Sequence, residues 1–150
     1  MLLLALLLTR PLYLPAQGSG HLTVGSPAKI SAARNASVQA KIPVTVDPGF
    51  HVNSNPAAAE YLIPLSVTWG ATGALEAGKV TYPKATKEKV GDDTLTVYTG
   101  SFDLIANFKV SANAPAGPGV AAGKLRYQAC NNTTCFPPKN VEISVPYQIQ

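Results

Sequence analysis

Residues 38–46 read VQAKIPVTV, and the turn-forming residues Asp47, Pro48 and Gly49 follow directly. Apolar residues occupy every second position of this stretch, which is the period of a strand with one buried face. The Asp-Pro-Gly sequence can end the strand, because aspartate, proline and glycine each favour turn conformations. The stretch therefore predicts a half-buried β-strand that ends in a tight turn.

The same period recurs along the chain. It is clear at residues 61–69, 102–110, 125–129 and 141–149, and weaker at 22–24, 74–82 and 94–98. The 13 Pro and 12 Gly residues are spread along the sequence, as many short strands require, and no amphipathic helix is recognisable. We expect Pro43 and Pro64 at strand edges or bulges, because proline has no backbone donor. The sequence predicts about seven or eight strands in an all-β fold, an immunoglobulin-like antiparallel β-sandwich.

The composition favours an exported globular domain. The chain has 150 residues, of which 46% are hydrophobic and 13% charged, and a domain of this size can bury its own core. Residues 2–8 form an apolar run that is too short to cross a bilayer and resembles a secretory signal. We expect a signal peptide at 1–16, a single domain at 17–150 and no membrane span in the mature chain. The alternative is an apolar N-terminus on a cytosolic protein.

The basic residues do not indicate a nucleic-acid site. The formal net charge is +4, and the one basic cluster, Lys84, Lys87 and Lys89, has acidic residues beside it. No aromatic side chains alternate with basic ones in the way that nucleic-acid-binding surfaces require. The cluster therefore predicts a solvated loop, and no nucleic-acid partner is expected.

The chemistry of the chain centres on its only two cysteines. Cys130 and Cys135 are separated by four residues and followed by Pro137 and Pro138. A disulfide that closes so short a ring stabilises a fold by only about 2 kcal/mol, whereas long loops give more than about 4 kcal/mol. The spacing therefore suits a redox-active pair whose disulfide forms and breaks. A purely structural disulfide is an equally good interpretation of the spacing alone. Two cysteines without a nearby histidine supply too few ligands for a metal, and we expect no cofactor.

The remaining candidate residues carry weaker signals. His51 lies within the turn-like stretch 49–56, and a lone histidine is more often structural than functional. No Ser/His/Asp triad, carboxylate pair or glycine-rich phosphate loop is recognisable. His21 belongs to no motif. The cysteine pair is therefore the only strong candidate that the residues themselves provide.

Several motifs occur together in a fixed order. They are GFHVNSNP at 49–56, YLIP at 61–64, YP at 82–83, YQAC at 127–130 and CFPPK at 135–139. In this order they resemble the periplasmic N-terminal domain of the DsbD-type thiol:disulfide interchange reductase, over residues 22–149. The YQAC and CFPPK motifs are the most specific part of the resemblance.

The resemblance implies a periplasmic immunoglobulin-like domain that relays electrons through its cysteine pair, as a stand-alone component of a protein-disulfide reductase system. The implied partners are thioredoxin-like redox proteins as donors and periplasmic thiol proteins, such as disulfide isomerases or cytochrome c maturation factors, as acceptors. Cys135 would form the mixed disulfide and Cys130 would resolve it. The segment 97–100 matches the family's cap loop, so Tyr98 would shield the pair.

The sequence also departs from this family. One residue fewer separates the cysteines, and His51 and Asn53 stand where tyrosines lie near the pair in the best-known members. His51, Asn53 and Phe136, which follows Cys135, are therefore expected beside the pair. The electrons would come from a separate protein, because the membrane-spanning and thioredoxin-like portions are absent. The alternative function is a non-catalytic immunoglobulin-like binding or assembly module with a structural disulfide.

Overall fold

The computed structural model describes residues 17–18 and 20–150. All regular structure in these ranges is β-strand, and no helix there is long and apolar enough to cross a membrane. The predicted signal peptide at 1–16 lies outside the described residues. The strands are β1 (Gln17–Gly18), β2 (Leu22–Val24), β3 (Ile30–Ala32), β4 (Ser37–Val46), β5 (His51–Asn53), β6 (Ser66–Trp69), β7 (Leu75–Thr81), β8 (Thr86–Val90), β9 (Asp93–Tyr98), β10 (Ser101–Val110), β11 (Gly117–Tyr127), β12 (Ala129–Cys130) and β13 (Lys139–Ile149).

The first sheet has the strand order β1-β2-β4-β10-β7. Its centre is the antiparallel pair of β4 and β10, in which Ala106 lies opposite Ala40 and Leu104 opposite Ile42. These apolar positions are fully buried while their neighbours along each strand are more exposed, as the period of two predicts. Pro43 O accepts a hydrogen bond from Gly25 N just beyond the end of the β2–β4 ladder. The missing N–H of Pro43 therefore interrupts no hydrogen bond between these strands.

The second sheet has the order β3-β13-β11-β6. Its centre is the antiparallel ladder of β11 and β13, which runs from Gly117 opposite Ile149 to Tyr127 opposite Lys139. The short strand β3 pairs with β13 in parallel, whereas every other strand pair in the described chain is antiparallel. The apolar faces of the first and second sheets contribute to one continuous core.

The third sheet, β12-β5-β9-β8, is small and carries Cys130 on its edge strand β12. The chain is thus an all-β, immunoglobulin-like sandwich, and the predicted fold class is confirmed. The strands expected at residues 22–24, 74–82 and 94–98 are also confirmed, with small changes at their ends.

The prediction of a strand over residues 61–69 is wrong for its first half, because only Ser66–Trp69 is a strand. The carbonyl groups of Ile63 and Leu65 accept hydrogen bonds from the side chains of Asn53 and Asn55 instead of from a strand partner. Pro64 lies between those carbonyls and has no backbone donor for a ladder. Side-chain amides therefore replace strand pairing here, which a search for apolar alternation does not detect.

Two segments expected as loops are strands. The lysine cluster lies mostly in β8, an edge strand whose lysines are exposed, so the prediction of solvation is correct and that of a loop is wrong. Charged side chains on an edge strand are common, because they oppose pairing with other chains. The turn-like stretch 49–56 contains β5, all three of whose residues are buried. A three-residue strand is too short to show a period.

We expect the close packing of Tyr147 over Gly119 in the β11–β13 ladder to limit substitution there. A Cβ at Gly119 would overlap the Tyr147 ring, which is 6% exposed and held by a hydrogen bond from Ala74 N to its hydroxyl at 2.9 Å. Gly119→Ala should therefore lower the free energy of unfolding by about 1–3 kcal/mol in a denaturant titration. The matched control is Gly70→Ala, whose Cβ would meet only Ala122 O at an ordinary 3.7 Å. Equal stability of the two variants would contradict this packing.

Candidate redox site

The cysteine pair lies on the connection between β11 and β13, just beyond the last rung of their ladder. That rung joins Tyr127 to Lys139. From there the chain enters β12, which leaves the second sheet and pairs with β5. The end of a long hairpin therefore holds the pair at one end of the sandwich.

Cys130 and Cys135 form a disulfide, with their Cα atoms 4.0 Å apart. The two residues also form an isolated antiparallel bridge, and Asn131 N donates to Thr134 O at 2.9 Å inside it. Backbone pairing thus adds to the covalent bond in holding the two cysteines together.

The side chain of Asn131 organises the four residues between the cysteines. Its Oδ1 accepts hydrogen bonds from Thr133 N at 2.9 Å, from Thr134 N at 2.8 Å and from the Thr133 hydroxyl at 3.1 Å. An asparagine that accepts from the next backbone amides mimics a backbone turn. The loop is therefore shaped by its own sequence.

The two sulfur-bearing residues differ in exposure. Cys130 is 1% exposed, whereas Cys135 belongs to the exposed residues of the chain. The backbone after Cys135 is fixed by Phe136 N, which donates to Ala129 O at 2.9 Å, and by Gln128 Nε2, which donates to Phe136 O at 3.2 Å. A docking protein can therefore reach Cys135 far more easily than Cys130.

Of the residues expected beside the pair, His51 lies directly opposite Cys130 in the pairing of β5 with β12. His51 is 3% exposed, and its Nε2 atom is buried without a hydrogen-bond partner. Burial lowers the pKa of His51 from its ordinary value, and the charge of Glu88 opposes this shift. The structure therefore brings a buried, neutral imidazole next to the enclosed cysteine.

Asn53 lies two residues further along β5 and is fully buried. Its side-chain amide donates to Ile63 O at 3.0 Å, and its Oδ1 atom has no hydrogen-bond partner. Its cross-strand neighbour is Val97 in β9, and neither cysteine lies opposite it, so its position beside the pair stays a prediction. The hydrogen bond to Ile63 O links β5 to the segment before β6.

Phe136 forms an aromatic cluster with two residues that the sequence did not suggest. Its ring centroid lies 5.0 Å from that of His21 and 6.0 Å from that of Phe50. His21 stacks on Phe50 at 3.6 Å, and its Nδ1 lies 3.3 Å from Asp47 Oδ2. No local pattern could have linked these residues, because they come from distant parts of the chain.

Tyr98, the predicted shield, is 4% exposed and lies in β9 opposite Val52, which in turn is opposite Ala129. Its ring packs against Phe102 at 5.2 Å, and its hydroxyl accepts a hydrogen bond from Asn55 N at 3.2 Å. Tyr98 thus belongs to the sheet that carries Cys130, and its described contacts are with the core. Its role as a shield stays a prediction.

No group of three or more His, Cys, Asp or Glu side chains within the described ranges is arranged to hold a metal ion. The chemistry that a disulfide can perform with its own atoms is thiol–disulfide exchange, by attack of a thiolate on one of the sulfurs.

Comparison with solved structures found two bacterial domains, of which the first supports the fold. The N-terminal periplasmic domain of ScsB from Proteus mirabilis matches with a TM-score of 0.61 and 13% identity, over 85% of this chain and 47% of that chain. The present chain thus spans about half the length of that structure. The reduced N-terminal domain of DsbD from Neisseria meningitidis matches with a TM-score of 0.48 and 18% identity, over 78% of this chain and 86% of that chain.

Comparison by sequence gives two results. No curated protein matches the chain. The family model described as the N-terminal part of the thiol:disulfide interchange protein DsbD matches residues 20–146, which include both cysteines and nearly every strand. The chain therefore belongs to the family of DsbD N-terminal domains.

Proposed function

We propose that this chain is a periplasmic thiol–disulfide exchange protein that relays two electrons through Cys130 and Cys135. The donor is a thioredoxin-like protein, and the acceptors are exported thiol proteins such as disulfide isomerases or cytochrome c maturation factors. Family membership and the bonded cysteine pair support a role in thiol–disulfide exchange. The periplasmic location is supported by the apolar N-terminal run and by the ScsB domain, which is described as periplasmic.

The observation that carries this proposal is the difference in exposure within one short disulfide. An exchange protein needs one sulfur that a partner can attack and one that is protected from unrelated thiols. Cys135 is exposed and Cys130 is 1% exposed, although only four residues separate them. We therefore assign Cys135 to the mixed disulfide and Cys130 to its resolution.

The exchange balances as follows. A donor thiolate attacks Cys135 Sγ, the Cys130–Cys135 bond breaks, and Cys130 leaves with the electron pair and takes up a proton. The donor's second thiolate then attacks the sulfur of the donor's first cysteine in the mixed disulfide. Cys135 is released as a thiolate, the donor becomes oxidised and this chain becomes reduced. The same steps in reverse reduce the acceptor.

A structural disulfide is the alternative. The short ring limits its stabilisation to about 2 kcal/mol, a small part of the roughly 5–15 kcal/mol that holds a domain together. The backbone bridge and the Asn131 hydrogen bonds also hold the loop without help from the covalent bond. We therefore expect the chain to stay folded when the pair is reduced, as a carrier must.

The first test of this function is the reduction potential of the Cys130–Cys135 pair. An exchange disulfide should equilibrate with a thioredoxin-like protein and have a potential above about −300 mV, because structural disulfides lie below that value. The measurement is the ratio of oxidised to reduced chain in glutathione or dithiothreitol buffers. A lower potential with no equilibration would favour the binding module with a structural disulfide.

The roles of the two sulfurs can be tested by trapping. A Cys130→Ala variant retains the exposed Cys135 and should accumulate a stable mixed disulfide with a thioredoxin-like variant that keeps only its attacking cysteine and is supplied as its thionitrobenzoate disulfide. Cys135 displaces thionitrobenzoate, and neither partner then has a second thiol that could break the new bond. The matched Cys135→Ala variant keeps only the buried Cys130 and should trap little. Non-reducing electrophoresis and mass spectrometry measure both. Stronger trapping by Cys135→Ala would reverse the assigned roles.

The proposed shielding by Tyr98 predicts faster attack by small reductants when its ring is removed. Tyr98→Leu should raise the rate at which dithiothreitol reduces the disulfide. The rate is measured without denaturant, under conditions in which the variant is folded. The matched control is Phe102→Leu, which alters the other ring of the same aromatic contact. If both variants react at the wild-type rate, Tyr98 supports the core and shields nothing.

A further inference from the structure

The chain has only two histidines, and one of them lies beside the enclosed sulfur. Directly opposite residues of an antiparallel pair project to the same face, with their Cβ atoms about 4.5–5.5 Å apart. His51 and Cys130 are such a pair. The register therefore makes the side chains of His51 and Cys130 cross-strand neighbours on one face of the small sheet.

The imidazole of His51 is also chemically unsatisfied. Its Nε2 is buried and has no hydrogen-bond partner, and the whole residue is only 3% exposed. A buried polar atom without a partner is unfavourable, so such atoms in native proteins usually have a function or a partner in another state. Reduction of the disulfide would create that partner, because the Cys130 thiol is a hydrogen-bond donor.

The charged groups around His51 leave it neutral near pH 7. Burial lowers its pKa, and the half-buried Glu88 of β8 opposes the shift. Asp47, in the turn before β5, lines the same cavity of about 300 Å³ as His51 and Glu88, but it is paired with His21 at 3.3 Å. Thr99, directly after β9, also lines this cavity and carries no charge. A neutral imidazole with a free nitrogen is the form that can accept a proton.

We propose that His51 is the base that takes the proton from Cys130 during resolution of the mixed disulfide, and that returns it when Cys130 is the leaving group. This inference rests on the proposed function, and it assigns a proton-transfer role to a residue opposite the resolving cysteine. Activation of a cysteine by an adjacent histidine is an established way to raise its thiolate fraction. Cys130 needs such a base in particular, because an enclosed thiol cannot easily give its proton to solvent.

The step conserves atoms and electrons. When this chain reduces an acceptor, His51 Nε2 accepts the Cys130 proton, and the resulting thiolate attacks Cys135 Sγ. The Cys130–Cys135 bond forms, the bond from Cys135 to the acceptor breaks, and the acceptor sulfur leaves with the electron pair. The proton on His51 then passes to that leaving thiolate or to water. In the reverse direction, protonated His51 supplies the proton that Cys130 takes up as it leaves.

The first experiment needs no substitution. Nitrogen-15 NMR of the full chain at pH 7 should show His51 Nε2 unprotonated and free of hydrogen bonds in the oxidised state. On reduction its resonance should move towards that of a hydrogen-bonded or protonated nitrogen, while the ring nitrogens of His21 serve as the internal control. A protonated Nε2 in the oxidised chain, or an unchanged resonance on reduction, would overturn the proposal.

The second experiment measures the rate of mixed-disulfide resolution against pH. In the wild type the rate should level off above the pKa of His51, which lies below 6.5. In His51→Gln it should fall by about a hundredfold at pH 7, the lower end of what a positioned base contributes, and should rise with pH up to about 8.5, the ordinary pKa of a free thiol. His21→Gln, which removes the other histidine, should lower the rate at pH 7 far less than His51→Gln does.

The outcomes separate this inference from the proposed function. If the wild type fails to exchange with any thioredoxin-like protein, the proposed function fails. If it exchanges and the His51→Gln profile matches the wild type, only the role of His51 is wrong. Circular dichroism and a denaturant titration establish that His51→Gln is folded, and the NMR experiment decides the question if it is not.

Discussion

The antiparallel ladder between β11 and β13 is the interaction on which the cysteine site depends. It pairs the strands from Gly117 and Ile149 to Tyr127 and Lys139, and its last rung fixes where the connecting loop begins and ends. The loop cannot move far from the end of the sandwich, because both of its ends are held in the central strands of a sheet. A rigid ladder therefore supports a loop whose covalent bond can open and close.

The position of β12 then separates the environments of the two sulfurs. Because β12 leaves the second sheet and pairs with β5, Cys130 becomes part of a sheet and is buried. Cys135 pairs only with Cys130 and is followed by exposed prolines. One short loop thus contains both an enclosed and an accessible sulfur, which a flexible loop would not maintain.

The pairing with β5 has a second consequence, since it brings His51 opposite Cys130. The buried histidine is disfavoured as a charged group, and its Nε2 atom has no hydrogen-bond partner. Hydrogen bonds around Asn53 and Asn55 hold the segment after β5 and so fix the strand that positions His51. Strand pairing and side-chain hydrogen bonds therefore position the imidazole, and its unpartnered Nε2 is the atom that is available for proton transfer.

The sequence alone determined the fold class and the position of the reactive pair. Alternation of apolar residues is local, so β4, β10 and β13 were predictable from their own residues, and the Cys130–Cys135 spacing was itself evident. Only the tertiary structure decided the aromatic cluster around Phe136 and the pairing of His51 with Cys130. These depend on sheet order and register between segments far apart in the chain, and a three-residue strand such as β5 is too short to reveal its register through any period.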